Sequence, residues 1–261
     1  MRTDRKVPMF LNRYLRRYAL LFFAVTGALA LHGWSQVPLE TAPQVLERAA
    51  LTYGGHNAVN GIADSVAEGT MTLFTARGSQ ATFEMKLLVK GKTKLQRIIR
   101  QQAGELRQGS DGQQTWDSAA GGFASIARGR TLHFIESQTT RSLRRLFDYQ
   151  LEGLVLRDAG TSGNARVLEA EDQDGRKTRY AIDNRNSTIT KLEFITGQAR
   201  DPFSRNTIFK TDAYVFSDYR RVQGILTPFR IERYVDGIKA EEMVFRSISY
   251  NTSIKDEAFK R

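Results

Sequence analysis

Alternation of apolar and polar positions dominates the chain after residue 60. Residues 80–90 show it most clearly, because every second residue from position 83 to position 89 is apolar and the positions between them are mostly charged. A period of two is typical of a strand with one buried face. Similar patterns predict further strands at about 65–76, 94–101, 104–110, 165–172, 176–183, 188–195, 207–217, 225–235 and 240–250.

Short turn signals such as Asp174-Gly175 and Asp236-Gly237 separate many of these segments. Connections this short join antiparallel neighbours, whereas parallel pairing needs long crossovers. A sheet of about ten strands twists strongly and must curl or close to protect its apolar face. The pattern therefore predicts a mainly β (α+β) protein built on a curved antiparallel sheet or incomplete β-barrel.

Two segments have helical spacing instead. Apolar residues recur every three or four positions in 39–53, which ends at Gly54-Gly55, and again in 137–158. We expect one helix in the first segment, and one or two short helices in the second. Residues 119–130 and 160–164 are predicted loops, too short for linkers, so residues 37–261 are predicted to form one domain with a helical insertion near 137–158.

The first thirty residues resemble a secretory signal. A basic stretch to Arg17 is followed by an apolar run from Tyr18 to Leu31 with small residues at 28–30. The run is short for a membrane span, which needs about 20 residues. We predict export to the periplasm and cleavage after Ala30; the alternative is an uncleaved segment that anchors the protein in the inner membrane.

Composition and charge exclude several classes of function. The chain has no cysteine, which excludes disulfides and catalytic thiols. Its net charge is +11, of which residues 1–30 contribute +5, with six basic residues against one aspartate. The remaining basic residues are scattered and form no block that could follow a phosphate backbone, so nucleic acid is not an expected partner. A mild attraction to anionic lipid head groups is more plausible.

Four motifs in order resemble the lipoprotein-sorting family related to LolA and LolB, in a diverged exported form. They are Tyr53-Gly54-Gly55-His56-Asn57-Ala58 with the strand from Ser65, the Asp111-Gly112…Trp116 hairpin, Tyr180–Asp183 followed by Ile189–Leu192, and the run Ser217–Phe229 that leads to Phe259. Each motif is weak alone, but together they cover most of residues 45–260. The resemblance implies an open barrel of about 10–11 strands with capping helices and a hydrophobic cavity for acyl chains.

The candidate ligand-binding residues follow from the apolar stripes and the helical insertion. Apolar residues of equal parity on three successive strands, with two helical residues, are expected to line the cavity: Met71, Leu73, Phe83, Met85, Leu87, Val89, Leu95, Ile99, Leu146 and Phe147. Three arginines beside the helical residues are expected to contact head groups: Arg141, Arg144 and Arg145. The same sheet could instead be tightly filled by its own side chains.

Catalytic chemistry has little support in the sequence. The three histidines show no metal-binding spacing, and no nucleophile elbow or phosphate-binding loop is present. Glu169 and Glu171 could form a carboxylate pair, but Lys177 and Arg179 on the next strand are natural ion-pair partners. We therefore predict no catalytic residue, metal or cofactor, and a binding protein whose partners are lipid or acylated lipoprotein, with inner- or outer-membrane proteins as further partners. An envelope protein-interaction or stress-sensing module on the same fold is the alternative, and a hydrolase ranks third.

Overall fold

The computed structural model describes residues 40–75, 78–118, 125–200 and 207–260. The predicted signal in residues 1–30 lies outside these ranges. Residues 41–261 form one compact unit. Among the described residues, no helix combines the length and apolar character needed to cross a membrane.

A single antiparallel sheet contains every strand of the described residues. Its thirteen strands run in the order β6-β5-β4-β3-β2-β1-β13-β12-β11-β10-β9-β8-β7. Strands adjacent in sequence pair with each other, except β6 and β7, which form the two edges, and the first strand pairs with the last. The strands are β1 Asp64–Phe74, β2 Gln80–Lys90, β3 Lys94–Gln101, β4 Gly104–Asp111, β5 Thr115–Ser118, β6 Ser125–Ile126, β7 Val155–Ser162, β8 Ala165–Glu171, β9 Lys177–Asp183, β10 Ile189–Arg200, β11 Thr207–Val222, β12 Ile225–Val235 and β13 Ile238–Tyr250.

Tight hairpins connect the strands of the C-terminal half. The β11–β12 turn places Gln223 and Gly224 at φ 50° and 85°, and the β12–β13 turn places Asp236 and Gly237 at φ 50° and 78°. Two successive positive φ values define the turn type whose twist matches that of antiparallel strands. The predicted meander of a mainly β protein is therefore confirmed.

Four α-helices lie in the described residues: α1 Ala42–Thr52, α2 His56–Asn60, α3 Gly129–Gln138 and α4 Leu143–Phe147; a 3₁₀ turn follows at Asp256–Phe259. The start of α1 is fixed because the backbone N–H of Thr41 donates to the Gln44 side chain at 2.8 Å. Its buried positions recur at helical spacing and pack toward the sheet. The helices cover one face of the sheet, which we call the inner face.

Two strands and two helix boundaries differ from the sequence prediction. Strand β5 is the second strand of the Asp111-Gly112…Trp116 hairpin that the resemblance implies, whereas β6 was not predicted, and α3 begins within the predicted loop 119–130. The predicted helical segment 137–158 is wrong at its C-terminal end, because α4 stops at Phe147 and residues 155–162 form edge strand β7. Nearly all of β7 is exposed, so it lacks the alternation that identifies a half-buried strand.

The two faces of the sheet differ in chemistry. The inner face carries one continuous apolar cluster drawn from the strands and all four helices. The opposite, outer face carries exposed ion pairs between strands. Lys86 of β2 contacts Glu68 of the neighbouring β1 at 2.9 Å, and Arg246 of β13 reaches across β1 to Glu84 of β2 at 2.6 Å. The burial of apolar surface on the inner face is thus the main stabilising contribution to the fold.

Candidate functional site

The predicted apolar stripe lies on the inner face. Strand pairing sets Met71 opposite Phe83 and Met85 opposite Ile99, so these residues share one face across β1, β2 and β3. All ten predicted residues belong to the apolar cluster or pack against it, including Leu146 and Phe147 of α4. The residues that were grouped from the sequence pattern are therefore contiguous in space. Their role in binding a ligand stays a prediction.

The stripe is interrupted by a charged residue. Arg97 lies between Leu95 and Ile99 on the inner side of β3 and is 3% exposed. Its guanidinium group lies over the Phe134 ring of α3, 3.7 Å from the ring centroid. The inner face is therefore apolar near α1, α2 and α4 and polar beneath α3.

Arg97 is part of a buried network of charges that spans the sheet. It donates to Gln108 at 2.9 Å and to Glu241 at 3.1 Å. Glu241 also accepts from Arg233 at 3.0 Å, and Arg233 donates to Asp212 at 2.7 Å. Two arginines and two carboxylates balance each other, which is the condition under which buried charges are tolerated.

Helix α3 adds two side chains to this network. Nδ1 of His133 lies 3.2 Å from the Asp212 carboxylate, and Thr131 accepts a hydrogen bond from Gln108 at 2.8 Å. Burial alone would raise the pKa of Asp212, but hydrogen bonds from His133 and Arg233 outweigh burial, and that pKa is lowered. Asp212 is therefore held as a carboxylate, and α3 is fixed to the sheet by polar contacts as well as by apolar packing.

A groove of about 530 Å³ opens between α1, α2 and the segment that follows α4. Leu46 and Phe147 lie at its floor, and both belong to the apolar cluster of the inner face. Leu151, which is 86% exposed, lies at its rim. The remaining lining residues are Pro43, Gln44, Glu47, His56, Asn60, Asp148, Tyr149 and Gln150. The floor of the groove is thus continuous with the apolar cluster of the inner face.

The three predicted head-group arginines hold the helical segment in place. Arg141 is 8% exposed; it donates to the Thr178 hydroxyl at 2.6 Å and lies over the Phe194 ring. Arg144 donates to the backbone oxygens of Gly91 and Asn60 at 3.3 and 3.2 Å. Contact of Arg141 or Arg144 with a head group stays a prediction, because each already has protein partners.

The third arginine belongs to a charged cluster beside the groove. Arg145 donates to Glu152 at 2.6 Å, while Lys92 contacts both Glu152 at 2.7 Å and Asp148 at 2.6 Å. Burial raises the pKa of both carboxyl groups, but hydrogen bonds from Lys92 and the other partners outweigh it, so both pKa values are lowered. This cluster fixes the turn after α4 to the β2–β3 connection.

The other residues considered for chemistry have structural partners. Glu169 pairs with Arg179 at 3.0 Å and with Lys177 at 3.2 Å, as expected for cross-strand ion pairs. His56 lies 2.7 Å from Glu47 at the rim of the groove. Within the described part of the chain, no three His, Cys, Asp or Glu residues are grouped so that they could hold a metal ion.

Comparison with known proteins rests on structure. No family model and no curated protein matches the sequence. A solved structure described as an outer membrane lipoprotein-sorting domain from Vibrio parahaemolyticus matches with a TM-score of 0.56 at 16% identity, covering 84% of this chain and 97% of that one. A LolA superfamily protein from Nitrosomonas europaea matches with a TM-score of 0.54 at 12% identity, covering 85% of this chain and 98% of that one.

The chain has a LolA-like fold. A DUF1329 family protein from Desulfovibrio piger has it too, with a TM-score of 0.54 at 14% identity over 85% of this chain and 98% of that one. The predicted resemblance is thus confirmed at the level of the fold. At these identities a shared LolA-like fold does not specify a ligand, because one fold hosts many functions.

Sequence reasoning missed the buried charges within this LolA-like fold. Arg97, Asp212, Arg233 and Glu241 all occupy inward-facing positions of strands that otherwise carry apolar residues there. A charged residue at such a position is a usable signal, because buried charges require partners. The identity of those partners depended on which strands meet across the sheet.

Proposed function

We propose that this protein is a carrier that holds the acyl chains of a lipid or of an acylated lipoprotein between the inner face and the helices. The groove is the observation that carries the proposal, since it joins solvent to the buried Leu46 and Phe147. Its volume of about 530 Å³ lies within the range of ordinary small-molecule sites. The predicted stripe residues would form the wall against which the chains lie.

The energetics of acyl burial are sufficient for such a role. Each buried methylene contributes about 0.8 kcal/mol. About ten methylenes then correspond to about 8 kcal/mol, the free energy of micromolar binding, before the costs of association are subtracted. One or two acyl chains therefore provide enough apolar surface for micromolar binding.

An acyl chain can reach the stripe only if the residues that cover it move. Leu146 and Phe147 of α4 pack into the apolar cluster that contains the stripe, with exposed fractions of 0% and 3%. We propose that α4 and the turn after it act as the lid, because α4 is only five residues long and the turn after it is held by arginine and lysine contacts. Helix α3 is joined to the buried network and would stay in place.

The cellular setting follows from the sequence and is part of the proposal. The chain would be exported to the periplasm by residues 1–30, or anchored in the inner membrane if that segment is retained. Lipid or acylated lipoprotein would be its ligand, and membrane proteins would deliver or receive it. No catalytic residue or cofactor has a part in this account.

A charge placed in the groove tests the proposal. Leu151→Glu adds a carboxylate to the rim, and since Leu151 is 86% exposed, the stability of the fold should not change. Leu51→Glu is the matched control: Leu51 is 64% exposed on α1 but does not line the groove. Titration with a fluorescent, uncharged acylglycerol should show affinity reduced about tenfold in the first variant only. Equal affinities, or no binding by the unaltered protein, would reject the groove as the acyl site.

A further inference from the structure

The groove has an uneven set of charges. Its lining includes two carboxylates, Glu47 and Asp148, and one imidazole, that of His56. None of its lining residues is a lysine or arginine. A site built for a phosphate or carboxylate normally presents Arg, Lys or backbone donors to it. The lining of this groove is therefore poorly suited to an anionic head group.

The lysine and arginines near the groove are not available to bind an anionic head group, because each already has protein partners. Lys92 is paired with Asp148 and Glu152, and Arg145 is paired with Glu152 and donates to the Thr140 backbone oxygen at 2.9 Å. Arg144 donates to two backbone oxygens. Recruiting any of these groups to a phosphate would break the contacts that hold the turn after α4, which carries a cost of its own.

The two carboxylates of the groove differ in what neutralises them. Asp148 has 6% of its side chain exposed and contacts Lys92 at 2.6 Å and the Asn60 amide at 2.7 Å. Glu47 has 56% of its side chain exposed, and its partner in the groove is His56 at 2.7 Å. Glu47 is thus the more exposed of the two carboxylates, and none of the residues that line the groove offers it a lysine or arginine.

We infer that the groove selects amphiphiles with a positively charged amine head, whose tail lies on Leu46, Phe147 and Leu151 and whose head pairs with the Glu47 carboxylate. The inference rests on the proposed function, because it assumes that the groove admits an alkyl chain. In this inference a carboxylate contacts a positively charged head group, whereas the sequence predicted that arginines contact a negatively charged one. The ligand class is therefore an alkyl amine or an acylated compound with an amine near its acyl group, and anionic phospholipids are disfavoured.

Three dodecyl compounds that differ only in the head group test this selectivity: dodecylamine, dodecanol and dodecyl phosphate. Isothermal titration of the full chain at pH 8, at concentrations where each compound is monomeric in solution, should show the amine bound most tightly and the phosphate least tightly. Glu47→Gln should weaken binding of the amine about fivefold, the effect of removing one contact ion pair in water, and leave dodecanol unchanged. Glu257→Gln is the control, because Glu257 is an exposed glutamate on the C-terminal 3₁₀ turn, outside the groove.

The outcomes separate this inference from the carrier proposal. Binding of dodecyl phosphate as tight as that of the amine, or unchanged amine binding in Glu47→Gln, would overturn the selectivity and leave the carrier proposal standing. Failure of all three compounds to bind would overturn the carrier proposal, and the selectivity with it.

Discussion

Arg233 and Arg230 lie three residues apart on β12 and face opposite environments. The Arg233 side chain is fully buried between Asp212 and Glu241, whereas 44% of the Arg230 side chain is exposed on the outer face beside Glu232 and Glu242. Breaking a buried ion pair leaves charges without a partner in a medium of low polarity, but an exposed pair loses little because water replaces it.

Replacing these two arginines should therefore have unequal effects. Arg233→Met should lower the free energy of unfolding by about 3–5 kcal/mol, because Asp212 and Glu241 stay buried without their shared cation. Arg230→Met, the same chemical change on the same strand, should lower it by less than about 1 kcal/mol. Urea denaturation followed by circular dichroism measures both values. Similar losses in the two variants would show that the network contributes no more than a surface pair.

Gly69 allows the close approach of β1 and β13. A Cβ atom built on it would lie 2.0 Å from the Val244 backbone oxygen and 2.7 Å from the Phe245 Cα, at the point where the pairing register of the two strands shifts. Backbone atoms in the centre of a sheet cannot move aside cheaply. A side chain at this position must therefore separate the strands that join the two halves of the sheet.

Gly69→Ala should destabilise the protein by about 1–3 kcal/mol, the usual cost of overpacking. The control is Gly197→Ala in β10, also at a register shift, where the added Cβ would meet no atom within 4 Å. That variant should change stability by no more than about 0.5 kcal/mol. Chemical denaturation of both proteins checks the difference, and equal stability of the two variants would contradict the close packing of β1 on β13.

At the scale of elements, α4 and its following turn depend on the charges around Lys92. The native pKa values of Asp148 and Glu152 are lowered, and the pKa of Lys92 is raised, since hydrogen bonds to their partners outweigh burial in each case. Carboxyl groups with lowered native pKa values stabilise the fold above their unfolded pKa values, near 4. That contribution is lost as the pH falls through the native pKa values.

Lys92→Met should therefore destabilise the protein more at pH 7 than at pH 3. We expect a loss of about 1.5–3 kcal/mol at neutral pH, where both carboxylates lose a charged partner, and a smaller loss in acid, where they are increasingly protonated. Lys86→Met is the control, since its pair with Glu68 is exposed on the outer face. Urea midpoints at the two pH values provide the test; a loss that does not depend on pH would show that the contacts of Lys92 are not electrostatic in origin.

Elements with a clear period were predictable from the sequence. Strands β2 and β12 begin and end where alternation places them, and α1 ends before the glycine pair. Edge strand β7 was missed because both of its faces are exposed and its residues need not alternate. Helix α3 was missed because its start follows a stretch rich in glycine and alanine, where local composition favours a loop.

At the scale of the whole molecule, the sequence predicted which apolar residues share the inner face. It did not predict the buried charges that divide this face into an apolar and a polar region. Parity along each strand was enough to group Met71, Met85 and Ile99. The polar region beneath α3 depends on contacts between β3, β11, β12 and β13, whose residues are distant in sequence. The groove likewise depends on how α1, α2 and the turn after α4 meet, which no local pattern specifies.

The central claim is that an acyl chain enters through the groove and lies against the stripe. A long-chain amine with a photoreactive diazirine at the tail end, activated after binding, tests it most directly, because peptide mass spectrometry locates the tail. The account predicts crosslinks to Phe147 and to the stripe residues Met71 and Met85. Crosslinks concentrated instead on exposed apolar residues away from the groove, such as Phe209 or Ile238, with none on the stripe, would contradict it.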